Sequence, residues 1–551
     1  MNGRSPGAQK RHSSRQSGCY RWLSWFLIPV ILLLQASASL LVLNNSAFQD
    51  EALYLLAGHQ ILLNWQGKTS YLEPYGLYFS GYPSFYPAIG GALDLLGGLE
   101  AARLFSLLCM LIVTICVYGM TIQFFDRKSA WIAAFLFVCQ GSVLFLGRLA
   151  TFDALCCCLL ALAVMLCLWA GKAASARMLL ALGPLLLLMV AVKYAGLLFV
   201  PTVLALLAWW SWKHRGWREM LVRLRVALFS LVGSGFIAFL CMDKQALTGL
   251  SSTTINRVVI VHTMPILIIE HIALMEGMFF GLGLLGLLFC GRRRRATGLL
   301  LFGSALLVPL YHTYKGELVS LDKHLAFSMF FLAPLAGFFV AYLAGLWGKY
   351  TVGLSWFAIG VLLLLIFPLG LLQAQALYAN WPSSTRLTAF LRPRVHKGSD
   401  HYLAEDFDVL RYYLKNETNL WQWSSLDYFV YTDKAGMTLS GEAAYRVAVQ
   451  EGYFAVIELS YGYHAVLARQ ITQSLIASQH YDLIARIPFH DSYGDGSFWV
   501  WSKAGVSDSN EGSARRVACD PVDLFKPVYT FSLIQFAVNL RYSWRLAASL
   551  L

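Results

Sequence analysis

Hydrophobic runs long enough to cross a bilayer recur along the first two thirds of this chain, and no other feature restricts its fold as much. About 20 helical residues span a hydrocarbon core, and runs of that kind fall at 22–43, 104–122, 130–146, 152–170, 178–192, 195–212, 226–242, 272–290, 296–311, 325–347 and 352–378. Over 551 residues, 58% are hydrophobic and 13% charged, with a mean hydropathy of +0.58, far from the balance of a soluble domain. A polytopic α-helical membrane protein follows, with about 11 to 13 transmembrane helices.

Charge then orients the chain. The first run follows a basic, Ser-rich leader, residues 1–21 with Arg4, Lys10, Arg11, Arg15 and Arg21, and it is too long for a signal-peptide core, so it reads as a retained anchor. A total of 43 Lys and Arg could suggest nucleic acid, but most of the excess lies beside apolar runs. Alternate loops hold Arg127 and Lys128, Lys172 and Arg177, the basic stretch 213–225, Arg292 to Arg295, and Lys349. With the leader, these are expected on the cytoplasmic side.

The opposite loops are sparser in cations and mixed with acids and histidines: Asp50, Glu51, Glu73, Arg148, Asp153, Lys193, Asp243, Arg257, His262, His312, Glu317, Asp322, Lys323 and His324. Ionisable groups beside hydrocarbon are costly unless they face a cavity, partner or substrate. One extracytoplasmic face is therefore expected to carry the chemistry. Of eleven cysteines, only Cys19 and Cys519 lie away from apolar runs, and no disulfide framework or zinc spacing emerges.

Between residues 44 and 99 lies a long outer loop. Its parts 51–65 and 82–96 are apolar at helical spacing but too short to cross, and suit helices lying in the interface. Tyr71, Tyr75, Tyr78, Tyr82, Phe85 and Tyr86 cluster between and beside them, as an interfacial belt or as a wall contacting sugar or lipid.

After residue 379 the composition becomes that of a soluble domain, 380–504. Helices are expected at 402–415, 442–450 and 465–478, strands at 428–432 and 454–459, and a hairpin from 481–488 to 498–502, together a small α/β domain outside the membrane. Residues 505–551 read as a linker followed by an amphipathic or poorly ordered tail.

An outward-facing set of carboxylates and cations suits glycosyl transfer from a lipid-linked phosphate sugar. A carboxylate can act as general base on an acceptor hydroxyl, while cations stabilise the departing phosphate. Asp50-Glu51-Ala52-Leu53-Tyr54, Gly81-Tyr82-Pro83-Ser84-Phe85-Tyr86-Pro87, Ala101-Ala102-Arg103-Leu104, Arg148-Leu149-Ala150-Thr151-Phe152-Asp153, Val192-Lys193-Tyr194 and Asp322-Lys323-His324 follow one another in order. This series resembles the membrane GT-C glycosyltransferases of the protein-mannosyltransferase and aminoarabinose-transferase type, over residues 22–378.

The resemblance implies an inverting transfer from a polyprenyl-phosphate sugar to an envelope glycan, lipid or protein acceptor. It makes Asp50 the catalytic base and Asp153 a second acidic site residue, with Lys193, Arg257, Lys323 and His324 as candidates for holding the donor phosphate. Tyr54, Tyr82 and Tyr86 are candidates for the substrate loop. Helix capping is the other reading of Asp50 and Asp153, and snorkelling that of Lys193. Glu51 could orient Asp50, bind a divalent cation or favour the helix dipole; no metal site is assigned. A transporter or flippase is the competing class, and it would carry polar residues at mid-span and an internal repeat.

Overall fold

The computed structural model describes residues 27–69, 72–242, 244–254, 256, 262–347 and 352–504. Two compact units divide the chain. The described parts of Met1–Asn44 and Ala57–Leu377 form one, and those of Asn45–Leu56 and Tyr378–Leu551 the other.

The first unit is helical. It begins with α1 (Leu27–Val42), and α2 (Gln49–Trp65) is shared between the units, its first turns belonging to the second. Then follow α3 (Tyr86–Phe124), α4 (Arg127–Val138), α5 (Gly141–Leu146), α6 (Phe152–Lys172), α7 (Leu182–Val192) and α8 (Val200–Arg215). The series continues with α9 (Trp217–Cys241), α10 (Lys244–Thr253), α11 (Pro265–Phe289), α12 (Arg295–Ala305), α13 (Leu307–Lys315), α14 (Leu321–Trp347) and α15 (Val352–Tyr378). Among the described residues, 7 helical stretches are long and apolar enough to cross a membrane, and Leu27–Val42, Arg177–Val192 and Leu364–Tyr378 are shorter apolar helices.

One expectation changes here and one holds. The run 130–146 is not one span: α4 stops and α5 starts at Gln140, whose side-chain oxygen accepts the Val143 N–H at 2.8 Å. A side-chain cap of this kind opens a helix, and hydropathy alone does not register it. The segment 82–96 is helical from Tyr86 and, as expected, is set off from the following span by a break at which Gly97 and Gly98 leave helical geometry and Gly98 has φ +69°. Helix α14 is the centre of the packing. A methyl on its partner α11 at Gly286 would sit 2.2 Å from the Leu335 carbonyl, and one on α14 at Gly337 would sit 2.6 Å from the Ala133 backbone of α4. Bare glycines let these backbones approach as membrane helices do when apolar contact with lipid offers no net gain.

The second unit is built on a mixed sheet. After α16 (Thr385–Leu391) come β1 (His401–Ala404), α17 (Phe407–Tyr413), β2 (Trp423–Ser424), β3 (Val430–Thr432), β4 (Thr438–Ser440), α18 (Glu442–Gln450), β5 (Phe454–Leu459), α19 (Ala465–Ser478), β6 (Tyr481–Asp491) and β7 (Gly494–Lys503). Strand order is β2-β1-β5-β7-β6; β1 runs parallel to β2 and β5, while β7 is antiparallel to β5 and β6. Alternation along β5 sends Ile457 and Leu459 into a core with α18 and α19, and Val456 into a second core with α16 and α17. The expected helix over 402–415 is thus a strand followed by a short helix. Tyr402 and Leu403 are taken by pairing with β2 and β5, a tertiary contact overriding local periodicity.

Three carboxyl groups meet where β1 and β5 end. Glu458 is fully buried and accepts the N–H groups of Glu405 and Asp406 at 3.0 and 3.2 Å. Glu405 accepts those of Ser460, Tyr461 and His464. Burial, then the Glu405 charge, raises the Asp406 carboxyl to about 7, and burial with both neighbours raises Glu458 well above the usual range. The fold therefore favours the protonated acids, a contribution complete below the ordinary carboxyl pKa of about 4 and lost as pH rises through about 7. Protection of the β5 amides, taken relative to their intrinsic exchange rate at each pH, is expected to fall across that window in the full-length protein, and Glu458→Gln to flatten the response. Protection that rises with pH through this window would contradict the assignment.

Candidate functional site

The first unit gathers its polar side chains where several helices begin or end. Asp153 lies in the first turn of α6, whose N-cap is Thr151. It is fully buried, and its carboxylate is not spent on capping: Oδ1 takes an ion pair from the Lys193 ammonium. Lys193 terminates α7 in extended geometry, φ −148° and ψ 120°, and is 4% exposed. Snorkelling is thereby answered, because the ammonium points to a buried acid and not to solvent.

Backbone pairing holds Lys193 in place. Tyr82 N–H donates to the Ala191 carbonyl at 2.7 Å, and Tyr194 N–H donates to the Ser80 carbonyl at 2.8 Å. Gly81 lies between these bonds, where a Cβ would come 2.2 Å from the Val192 carbonyl. Glycine is what allows the Gly81-Tyr82-Pro83 turn to lie against Val192-Lys193-Tyr194. Tyr86, 1% exposed, meets the Phe152 ring edge-on at 6.2 Å, and the Lys193 ammonium lies 5.0 Å from the centre of that same ring. Tyr82 and Tyr86 thus belong to the surroundings of Lys193.

The Asp322-Lys323-His324 segment opens α14 and divides its duties. Asp322 pairs with His271 of α11 at 2.6 Å. Lys323 is 6% exposed, close enough for its charge to act on Asp153 and Lys193. His324 Nε2 lies 2.6 Å from the Lys193 ammonium and 3.6 Å from Asp153 Oδ1. Its Nδ1 lies 2.8 Å from Nε2 of His312, whose own Nδ1 meets the Glu317 carbonyl at 2.7 Å. Asp153 Oδ2 is buried and has no hydrogen-bond partner among the described residues, an acceptor available to a bound hydroxyl.

The motif residues Arg103 and Arg148 both reach Glu100, at 3.3 and 2.5 Å, and Arg148 also donates to the Leu43 carbonyl. This clamp fixes the loop between α5 and α6 against the start of the second half of α3.

Asp50 and Glu51 belong to the second unit. The approach to α2 is anchored there: Asn45 Nδ2 donates to the Tyr378 and Trp381 carbonyls, and Ala47 N–H to the Tyr413 hydroxyl. Helix α2 begins at Gln49, so Asp50 sits inside its first turn and is not the N-cap. Glu51, fully buried, reaches back to the Phe48 N–H at 2.8 Å, the acidic half of a capping box. Of its open roles, starting the helix has a bond to support it. Tyr54 is buried in the same unit, and Arg257 lies outside the described residues. Among those residues, no group of three His, Cys, Asp or Glu side chains is arranged to hold a metal ion.

Glu100 and Glu276 escaped the sequence reading, and His312 was named there without a role. Glu100 stands three residues before Arg103, a spacing visible in the sequence, but its bond to Arg148 is not. His312 carried no local signal for its place beside His324. Glu276, midway along α11 and 1% exposed with neither oxygen partnered among the described residues, is a mid-span acid that was not singled out.

Comparison with known proteins bears on this arrangement. The family model described as dolichyl-phosphate-mannose-protein mannosyltransferase matches residues 88–238. No curated relative matches the sequence. Among solved structures, apo ArnT from Cupriavidus metallidurans is similar at a TM-score of 0.58 and 13% identity, covering 88% of this chain and 98% of that one. This chain has the GT-C fold. The GT-C fold also accounts for the likeness to ArnT bound to undecaprenyl phosphate, with TM-score 0.56, 13% identity, and 88% and 98% coverage. The Archaeoglobus fulgidus oligosaccharyltransferase tethered to an acceptor peptide follows at 0.53 and 12%, covering 87% of this chain and 74% of that one. The family match is confined to residues 88–238, and the solved structures show the fold.

Proposed function

We propose that this protein moves a sugar from a polyprenyl phosphate to a hydroxyl acceptor at the outer face of a bacterial plasma membrane, with inversion at the anomeric carbon. The observation that carries this reading is the buried Lys193–Asp153–His324 cluster, assembled from the same motifs that resemble the GT-C enzymes. Lys193 and Lys323 supply the positive charge that a departing lipid phosphate needs. Asp153 Oδ2, unpartnered among the described residues, accepts from a substrate hydroxyl, and Arg257 joins the phosphate contacts. Asp50 takes the acceptor proton as general base. The basic leader and loops stay cytoplasmic and the α/β unit lies outside, following the loop charges.

Acceptor chemistry stays within the envelope classes of glycan, lipid or protein. The solved relatives span lipid-phosphate and peptide complexes. Glu276 is the observation that favours transport, since a buried mid-span carboxylate can mark an ion path. Transfer is the stronger reading because Asp153, Lys193 and His324 meet at helix ends. Mass spectrometry of cell-envelope glycans from a deletion strain tests it: loss of one sugar substituent, restored by the wild-type gene, is expected. An unchanged glycan profile would count against it.

A further inference from the structure

With both rings neutral, the four groups from Glu317 to Lys193 form a hydrogen-bond chain with one self-consistent direction. Its far end is a backbone carbonyl, which can only accept, so His312 Nδ1 must carry the proton in the 2.7 Å contact with Glu317. A neutral His312 then presents Nε2 as an acceptor, and the 2.8 Å contact requires His324 Nδ1 to donate. His324 Nε2 is in turn left as an acceptor, 2.6 Å from the Lys193 ammonium. Another N–H of that ammonium goes to Asp153 Oδ1. Two of its three protons are thus assigned, and one remains.

The backbone builds the start of this chain. Helix α13 ends at Gly316, whose left-handed φ of +69° turns the chain so that the Gly316 and Glu317 N–H groups both return to the His312 carbonyl. That turn brings the Glu317 carbonyl round to the His312 ring. His312 is 1% exposed.

We propose that His312 and His324 are positioning residues, both locked as the Nδ1–H tautomer, which hold the Lys193 ammonium so that its remaining N–H faces the donor phosphate. The phosphate half of this assignment rests on the proposed function, whereas the tautomer half rests on the geometry alone. Neutral histidine in water favours the Nε2–H form, so two buried Nδ1–H rings make an unusual signature.

The test has two arms on the full-length protein in lipid nanodiscs. Nitrogen-15 spectra of histidine-labelled protein without ligand are expected to show His312 and His324 neutral and protonated at Nδ1. A His324 protonated at Nε2 would overturn the relay. The second arm follows undecaprenyl phosphate binding by phosphorus-31 resonance. His312→Leu is expected to weaken binding about tenfold, the scale of one charge-assisted hydrogen bond. His312→Gln is expected to restore it, because one amide offers a donor and an acceptor about as far apart as the two ring nitrogens. Equal binding by wild type and His312→Leu would overturn the positioning role. Absence of binding by wild type would overturn the phosphate half along with the proposed function, while the spectra still decide the relay.

Discussion

Asp50→Asn is expected to lower the transfer rate by about 10²- to 10⁴-fold, the usual contribution of a general base, while leaving the protein folded. The amide keeps the shape of the carboxylate, and the residue lies inside the first turn of α2 without serving as its N-cap. The change also gives up a favourable interaction with the helix dipole, about 0.3–1 kcal/mol. Glu51→Gln offers the contrast. Its fully buried oxygen accepts the Phe48 N–H, so this change acts on the start of α2 and on stability before it acts on rate. Transfer assays with purified protein, paired with thermal melting, separate the two. A wild-type rate from a folded Asp50→Asn protein would remove Asp50 as the base.

Lys193→Met is expected to destabilise the first unit by about 3–5 kcal/mol, the cost of leaving one charge of a buried pair without its partner. Asp153 is fully buried and draws its one ion pair to a lysine from Lys193. The double change Lys193→Met with Asp153→Asn removes both charges and is expected to recover most of that stability. It is not expected to recover transfer, since one of the two lysines proposed to face the phosphate is gone. Melting temperatures of the single and double variants read the first effect and turnover reads the second. Recovery of both would reduce the pair to scaffolding.

Much of the membrane unit was legible because hydrocarbon demands long apolar helices. The runs at 152–170, 226–242 and 325–347 correspond to α6, α9 and α14. The failures have two causes that hydropathy does not register, one local and one distant. Gln140 breaks the run at 130–146 through one capping bond, and Tyr402 is drawn into a sheet by strands far along the chain.

The candidate site was partly legible for the same reason. Asp153, Lys193 and His324 were identifiable as polar residues beside apolar runs, on loops of one predicted side. What the sequence could not display is that His324 and Lys193, 131 positions apart, come within hydrogen-bond distance, or that His312 completes their chain. The capping alternatives for Asp50 and Asp153 also needed coordinates, since both residues sit inside a first turn and neither is its N-cap. Asp153 is bonded elsewhere, to Lys193.

The central claim is that the protein breaks a sugar–phosphate bond in a lipid-linked donor. Its most direct measurement uses proteoliposomes of the full-length protein loaded with undecaprenyl-phosphate sugars and an envelope extract as acceptor source. The account predicts free undecaprenyl phosphate appearing in step with glycosylated acceptor, both abolished by Asp50→Asn. Donor that crosses the bilayer with its sugar still attached, and no release of undecaprenyl phosphate, would contradict it and leave transport as the activity.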